Sequence, residues 1–165
     1  MEPKKLGEVF LVSSQESVRR ARGEVRGLLG TDHPLLEDVV QVVSELVANA
    51  VEHADRRWQG DMVGLALMET PDLVYVEVSD PGSLFSAPYI PEEEVSMAEN
   101  GRGLLIVNRI CGGRWGTRRR SERLGRTVWC AVPRTEQAPS AEETIRAERD
   151  RAIGRTERSV GDGRM

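Results

Sequence analysis

The chain has 165 residues, 39% of them hydrophobic, a formal net charge of −4 and two cysteines, which suits one globular domain with room for a proper core. Cys111 and Cys130 lie far apart without a C-x-x-C, and His33 and His53 have no partner at metal-ligand spacing, so composition argues for reduced thiols and against a zinc site. No leading stretch reads as a signal peptide and no run approaches ~18 apolar residues, so the expectation is a soluble, cytoplasmic protein with no membrane contact.

Taken in order, residues 8–13 read as a short strand. Ser14 is placed to cap a helix over 15–29, whose buried side is Val18, Ala21, Val25, Leu28 and Leu29 and which Gly30 ends. Pro34 then opens a long helix over 34–54 as a first-turn proline, with Glu37 and Asp38 where the helix dipole favours acids. Valine and leucine cover more than half of this cylinder, as expected of a helix buried on most sides. What is left for polar groups is a narrow seam. At ~100° per residue, Gln41, Glu45, Asn49 and His53 step by four and form one slanting stripe. A carboxylate and a carboxamide therefore face the same way one turn apart, a pair that suits a hydrated divalent cation and a general base, or simply a solvated face.

Two strands follow over 62–69 and 73–79, joined by a T-P-D turn into a hairpin. The second runs into Asp80-Pro81-Gly82-Ser83 and a long polar stretch without periodicity, which reads as a lid or binding segment. Asn100-Gly101-Arg102-Gly103 opens another helix, LLIVNRIC, whose amide-rich start is of the kind that binds phosphate, and Gly112-Gly113 closes it. Strands near 114–117 and 127–132 complete the core, with an arginine-rich turn between them. From 134 the chain loses its large apolar residues and reads as a mobile, charged tail in which Ser140 and Glu143 are spaced as the capping box of a short solvated helix. Charge divides along the same lines: 8 basic and 19 acidic residues in 1–100, 8 and 1 in 101–133, 7 and 7 thereafter. A cationic third section is compatible with nucleotide or nucleic-acid binding.

A polar pair in a buried helix, an Asp-x-Gly turn at a strand end and a Gly-x-Gly at a helix start are each unspecific, but in this order they form a pattern. SELVANAVEH, VSDPGS and GRGLLIV resemble the N, G1 and G2 boxes of the GHKL, or Bergerat-fold, ATPases and kinases. Length, the compressed lid and the closing W-G…G-R-T-V-W look most like the small anti-sigma-factor serine/threonine kinases of the RsbW/SpoIIAB-like group. The resemblance spans about residues 8–133. It implies an α+β two-layer sandwich, a mixed, mostly antiparallel sheet covered on one face by helices, with a histidine-kinase-like ATP-binding domain at 1–133 and the tail at 134–165 outside it.

Carried over to this chain, the resemblance implies ATP and Mg2+ as cofactors, with Asn49 as the magnesium ligand and Glu45 as the catalytic base for the attacking hydroxyl. Asp80 would accept the adenine amino group, Gly82 would let the backbone approach the ring, and Gly101, Arg102, Gly103 and Leu104 would surround the phosphates. Thr127, in G-R-T-V, would back up Asp80. The implied function is a regulatory protein kinase that sequesters a sigma factor and phosphorylates a small STAS-type anti-sigma-factor antagonist, paired as a homodimer through its first strand and helix. One departure stands out: Asp80-Pro81-Gly82-Ser83-Leu84 lacks the second glycine common after the aspartate, which leaves room for a non-catalytic, ATP-dependent protein-binding regulator. A third reading, nucleic-acid binding through Arg114, Arg118, Arg119, Arg120, Arg123 and Arg126, lacks interleaved aromatics beyond Trp115.

Overall fold

Strand residues of alternating character can satisfy two different surroundings only by presenting one set to each face of a sheet. The computed structural model, which describes residues 2–53, 62–80, 101–119 and 125–161, arranges five strands on that principle: β1 (Lys4–Val12), β2 (Met62–Glu69), β3 (Leu73–Ser79), β4 (Trp115–Arg119) and β5 (Arg126–Pro133). They form one sheet in the order β1-β2-β3-β5-β4, and every neighbouring pair is antiparallel. Three helices, α1 (Glu16–Leu29), α2 (Leu36–His53) and α3 (Gly101–Cys111), pack on one face, and α4 (Ala141–Gly161) packs on the other.

The inner face supplies Leu11, Val63, Leu65, Leu67, Val74, Val76, Val78, Cys130 and Val132, which close a single core with Ala21 and Val25 of α1, Val107 and Cys111 of α3 and seven residues of α2. Those seven, Leu36, Val39, Val40, Val42, Val43, Leu46 and Val47, are all buried, so α2 is the central pillar of the helical layer. At ~1.5–3 kcal/mol for each fully buried valine or leucine, this packing fixes where the polar stripe of α2 points. Neighbouring helices are also tied by side chains: Arg22 Nε of α1 donates to Ser44 Oγ of α2 at 2.6 Å, and Ser44 donates in turn to the Val40 carbonyl at 2.7 Å.

Element ends depart from expectation in physically legible ways. β1 begins at Lys4, because its first half pairs with the far end of β2, Lys4 opposite Glu69, across an irregularity between Lys5 and Gly7. The cap expected from Ser14 is not made; Ser17 is buried instead, its hydroxyl donating to the Val12 carbonyl and accepting the Ser14 N–H at 3.1 Å. The expected stop of α3 is realised by Gly112 and Gly113, with φ of 59° and 82° and a Gly113 N–H to Asn108 carbonyl bond of 3.1 Å, the six-to-one closure that favours glycine.

The largest departure is at the C-terminus. Where the loss of apolar residues suggests a mobile tail with a short solvated helix, α4 runs for 21 residues and seats on the outer face of the sheet. Its capping box forms as spaced: Ser140 N–H donates to Glu143 Oε2 at 2.8 Å and Glu143 N–H to Ser140 Oγ at 3.2 Å. Ile145 packs with Leu73, Tyr75, Trp129 and Ala131, and Thr144 and Glu148 are buried. Few apolar residues suffice because ionic contacts do the rest. Arg118 of β4 bridges Glu77 at 2.6 Å and Glu148 at 3.1 Å, Glu148 also pairs with Arg151, and the Arg151 guanidinium lies 5.1 Å from the centre of the Tyr75 ring. Among the described residues no helix is long and apolar enough to cross a membrane.

Candidate functional site

The polar stripe of α2 is exposed at Gln41 and half-buried at Glu45 and Asn49, one helical turn apart each. Gln41 Nε2 donates to Glu45 Oε1 at 3.2 Å. The other carboxylate oxygen faces α3: a Cβ placed on Gly103 would lie 2.7 Å from Glu45 Oε2. With glycine at this position the carboxylate keeps its place against the first turn of α3; a side chain would make it turn away. No acidic residue occupies the first turn of α3 itself. Leu104, the next residue, is partly buried against the main core, which fixes the start of the helix against α2 and the sheet.

Gly101 and Arg102 form the opening turn of α3 by backbone. Asp80 follows directly on β3, half-buried, its N–H donating to the Arg126 carbonyl at 2.9 Å. Gly82 and the 83–100 stretch expected as a lid lie outside the described residues, as does the arginine-rich turn at 120–124. His53 ends α2 by backbone.

Thr127 is not brought to the α2–α3 side. It pairs with Ser79 in the sheet, the two hydroxyls are 2.9 Å apart, and both line a polar cavity of about 180 Å³ on the outer face, with Glu8, Glu77, Arg118 and Arg155. The physical reason is strand parity. Val128 and Cys130 take the inner face, so Thr127 and Trp129 take the outer one. Its buried hydroxyl ties β3 to β5 just below Asp80, and what reaches Asp80 from β5 is the carbonyl of Arg126. Two contributors therefore escape a reading by motif: Gln41, which the four-residue spacing places beside Glu45 without saying that it donates to it, and the Arg126 carbonyl, which has no side-chain signature at all.

The arginines considered for nucleic acid are partly committed elsewhere. Arg114 donates to the Pro139 carbonyl at 2.7 Å and the Cys111 carbonyl at 3.1 Å, and Arg118 is held between two glutamates. Cys111 and Cys130 are both buried; burial pushes the Cys111 thiol up and the Cys130 thiol well above its ordinary range, so neither is a nucleophile at neutral pH.

A family model described as the histidine kinase-like ATPase domain matches residues 11–129. The chain belongs to that family. Its match takes in α1, α2, α3 and the strands up to Trp129 of β5, and ends before α4. The serine-protein kinase RsbW of Oceanobacillus iheyensis is 27% identical over 115 residues, covering 62% of this chain and 73% of that protein. The GHKL resemblance and the α+β fold that it implied thus hold, and the Glu45–Gly103 contact joins the first and last of the three sequence boxes within a histidine kinase-like ATPase domain. Where such a domain takes ATP, the bare Cα of Gly103 is the feature that fits: a side chain there would fill the space between Glu45 of α2 and the first turn of α3.

Proposed function

We propose that this ATPase domain is a serine/threonine protein kinase of the anti-sigma type, which binds a sigma factor and phosphorylates a small STAS-type antagonist of that binding. The family supports ATP binding, and the likeness to a protein named serine-protein kinase RsbW supports the kinase reading. The observation that carries it is the contact of Glu45 with the first turn of α3 through Gly103.

In this reading Asp80 accepts the adenine amino group, while the backbone of Gly82 lies against the ring. The amides at Gly103 and Leu104, with Gly101 and Arg102, face the phosphates, and Asn49 holds magnesium through its amide oxygen. Among the described residues no three His, Cys, Asp or Glu side chains converge on a metal position; of the residues named here, Asn49 would supply the ligand to the ion. Bound magnesium neutralises phosphate charge. Glu45 takes the proton of the acceptor serine or threonine hydroxyl as that oxygen bonds to the γ-phosphorus and the bond to the ADP oxygen breaks. Phosphoryl transfer is mostly positioning and charge neutralisation, so one base, oriented amides and one hard ligand suffice.

A pull-down from native cytosol with and without Mg-ATP, followed by transfer of labelled γ-phosphate to the captured small protein, tests this. Label on a serine or threonine of that protein supports the kinase. Nucleotide-dependent capture without transfer supports instead the passive regulator, for which the missing glycine after Gly82 speaks.

A further inference from the structure

The geometry points to Gln41 as a positioning residue for Glu45, one that sets which oxygen of the carboxylate serves as base; this rests on the reading of Glu45 as the general base. The two oxygens have different surroundings. Oε1 accepts the Gln41 Nε2–H at 3.2 Å, and Oε2 lies against Gly103 in the first turn of α3. A glutamate side chain has three rotatable bonds, and on a half-exposed helix face it would sample several rotamers. A donor one turn earlier reduces that sampling and leaves Oε2, the oxygen beside Gly103, uncommitted to Gln41.

The chemistry of the residue suits the task. A carboxamide donates without carrying charge, so it orients the carboxylate without neutralising the base, as an ammonium at the same place would. The platform is rigid: Val39, Val40, Val42 and Val43 around Gln41 are buried, so the stripe cannot rotate about the helix axis. Gln41 itself is exposed. Its substitution therefore touches no core contact, and an effect on rate is not a packing effect.

The test uses the full chain, with hydrolysis of γ-labelled Mg-ATP as the probe. Water oxygen bonds to the γ-phosphorus, the bond to the ADP oxygen breaks, and the proton passes to Glu45. Gln41→Met keeps length and helix preference but removes the donor. It is expected to lower kcat about 10-fold, below the ~100- to 10,000-fold typical of the base itself, with the KM for ATP and the melting temperature unchanged. Gln41→Glu, which sets a second carboxylate opposite the first, should lower kcat further.

A second readout needs no activity. The chain has four glutamines, Gln15, Gln41, Gln59 and Gln137, and the side-chain amide signal that Gln41→Met removes should move in nucleotide-free Glu45→Ala protein while that of Gln137, far along the chain, stays. An unmoved Gln41 signal overturns the proposal, and so does Gln41→Met turning over at the parent kcat. Should Glu45→Ala keep the parent kcat, the reading of Glu45 as base falls, and Gln41 loses its catalytic meaning even where its signal moves.

Discussion

Glu45 and Asn49 stand one turn apart on the same helix, yet their replacement should have separable consequences. A base matters in the transition state, whereas a metal ligand also matters for holding nucleotide. Glu45→Ala is expected to lose phosphotransfer by ~100-fold or more while ATP still binds, and Asn49→Ala to lose both; titration calorimetry beside a phosphotransfer assay reads the two quantities apart. Asp80→Asn should weaken ATP strongly with the fold intact, since its backbone bond to Arg126 is unaffected by the side chain. Unchanged affinity in that variant would remove the proposed base pocket. Gly103→Ala adds a methyl 2.7 Å from Glu45 Oε2, so the carboxylate must turn away, and a drop in kcat without a drop in melting temperature is expected. Of these residues, Glu45, Asn49 and Gly103 were legible from spacing and boxes. The side of the sheet that Thr127 faces was not, because parity along a strand becomes a direction only once its partner strands are known.

Helix α4 shows what element-level reading from composition misses. Its apolar residues are too few to signal a buried face, and its amphipathicity is ionic: Glu148 meets Arg118 of β4, which also bridges Glu77 of β3, and Arg151, three residues on, lies over Tyr75 of β3. Glu148→Ala should destabilise the fold by about 3 kcal/mol, at the lower end for breaking a buried ion pair, because Arg118 keeps Glu77 while Arg151 loses its carboxylate; urea denaturation measures this. A variant as stable as the parent would show that the ion pairs of Glu148 add nothing to the stability of the domain. The start of α4 should also respond to acid. The Ser140 backbone N–H, followed by its hydroxyl, holds the Glu143 carboxyl below its ordinary range. A folded value below the unfolded one means that the cap stabilises fully above the ordinary carboxylate range and is lost as pH falls through the lowered value. Amide exchange at the first turn of α4 should therefore quicken on acidification, and Glu143→Gln should blunt that dependence.

For the whole molecule, a ligand that binds only the folded domain raises its stability by mass action, about 2.7 kcal/mol at a hundred times its dissociation constant. Mg-ATP should shift the melting temperature upward in the parent and not in Asp80→Asn, which differential scanning fluorimetry distinguishes in one experiment. Association is a second property at this scale. β1 is an edge strand, and Phe10, Val12 and Met62 on the outer face beside that edge are 54%, 49% and 40% exposed. An edge with apolar neighbours suits pairing about a two-fold axis, and the expected homodimer should sediment as such at tens of micromolar; monomer alone at that concentration would count against it.

The sequence by itself determined the helical pillar, the hairpin, the glycine-opened helix and the family that their order resembles, because these depend on local periodicity, turn chemistry and short motifs, which a chain carries wherever it folds. Tertiary structure alone decided the rest. The seating of α4 needs charges and rings from strands more than 20 residues upstream, the outward side chain of Thr127 needs the register of β3 on β5, and the meeting of Glu45 with Gly103 needs α2 and α3 packed in one layer. Each is a contact between residues far apart in the chain, and no local pattern encodes such a contact until burial of the core has fixed the distance.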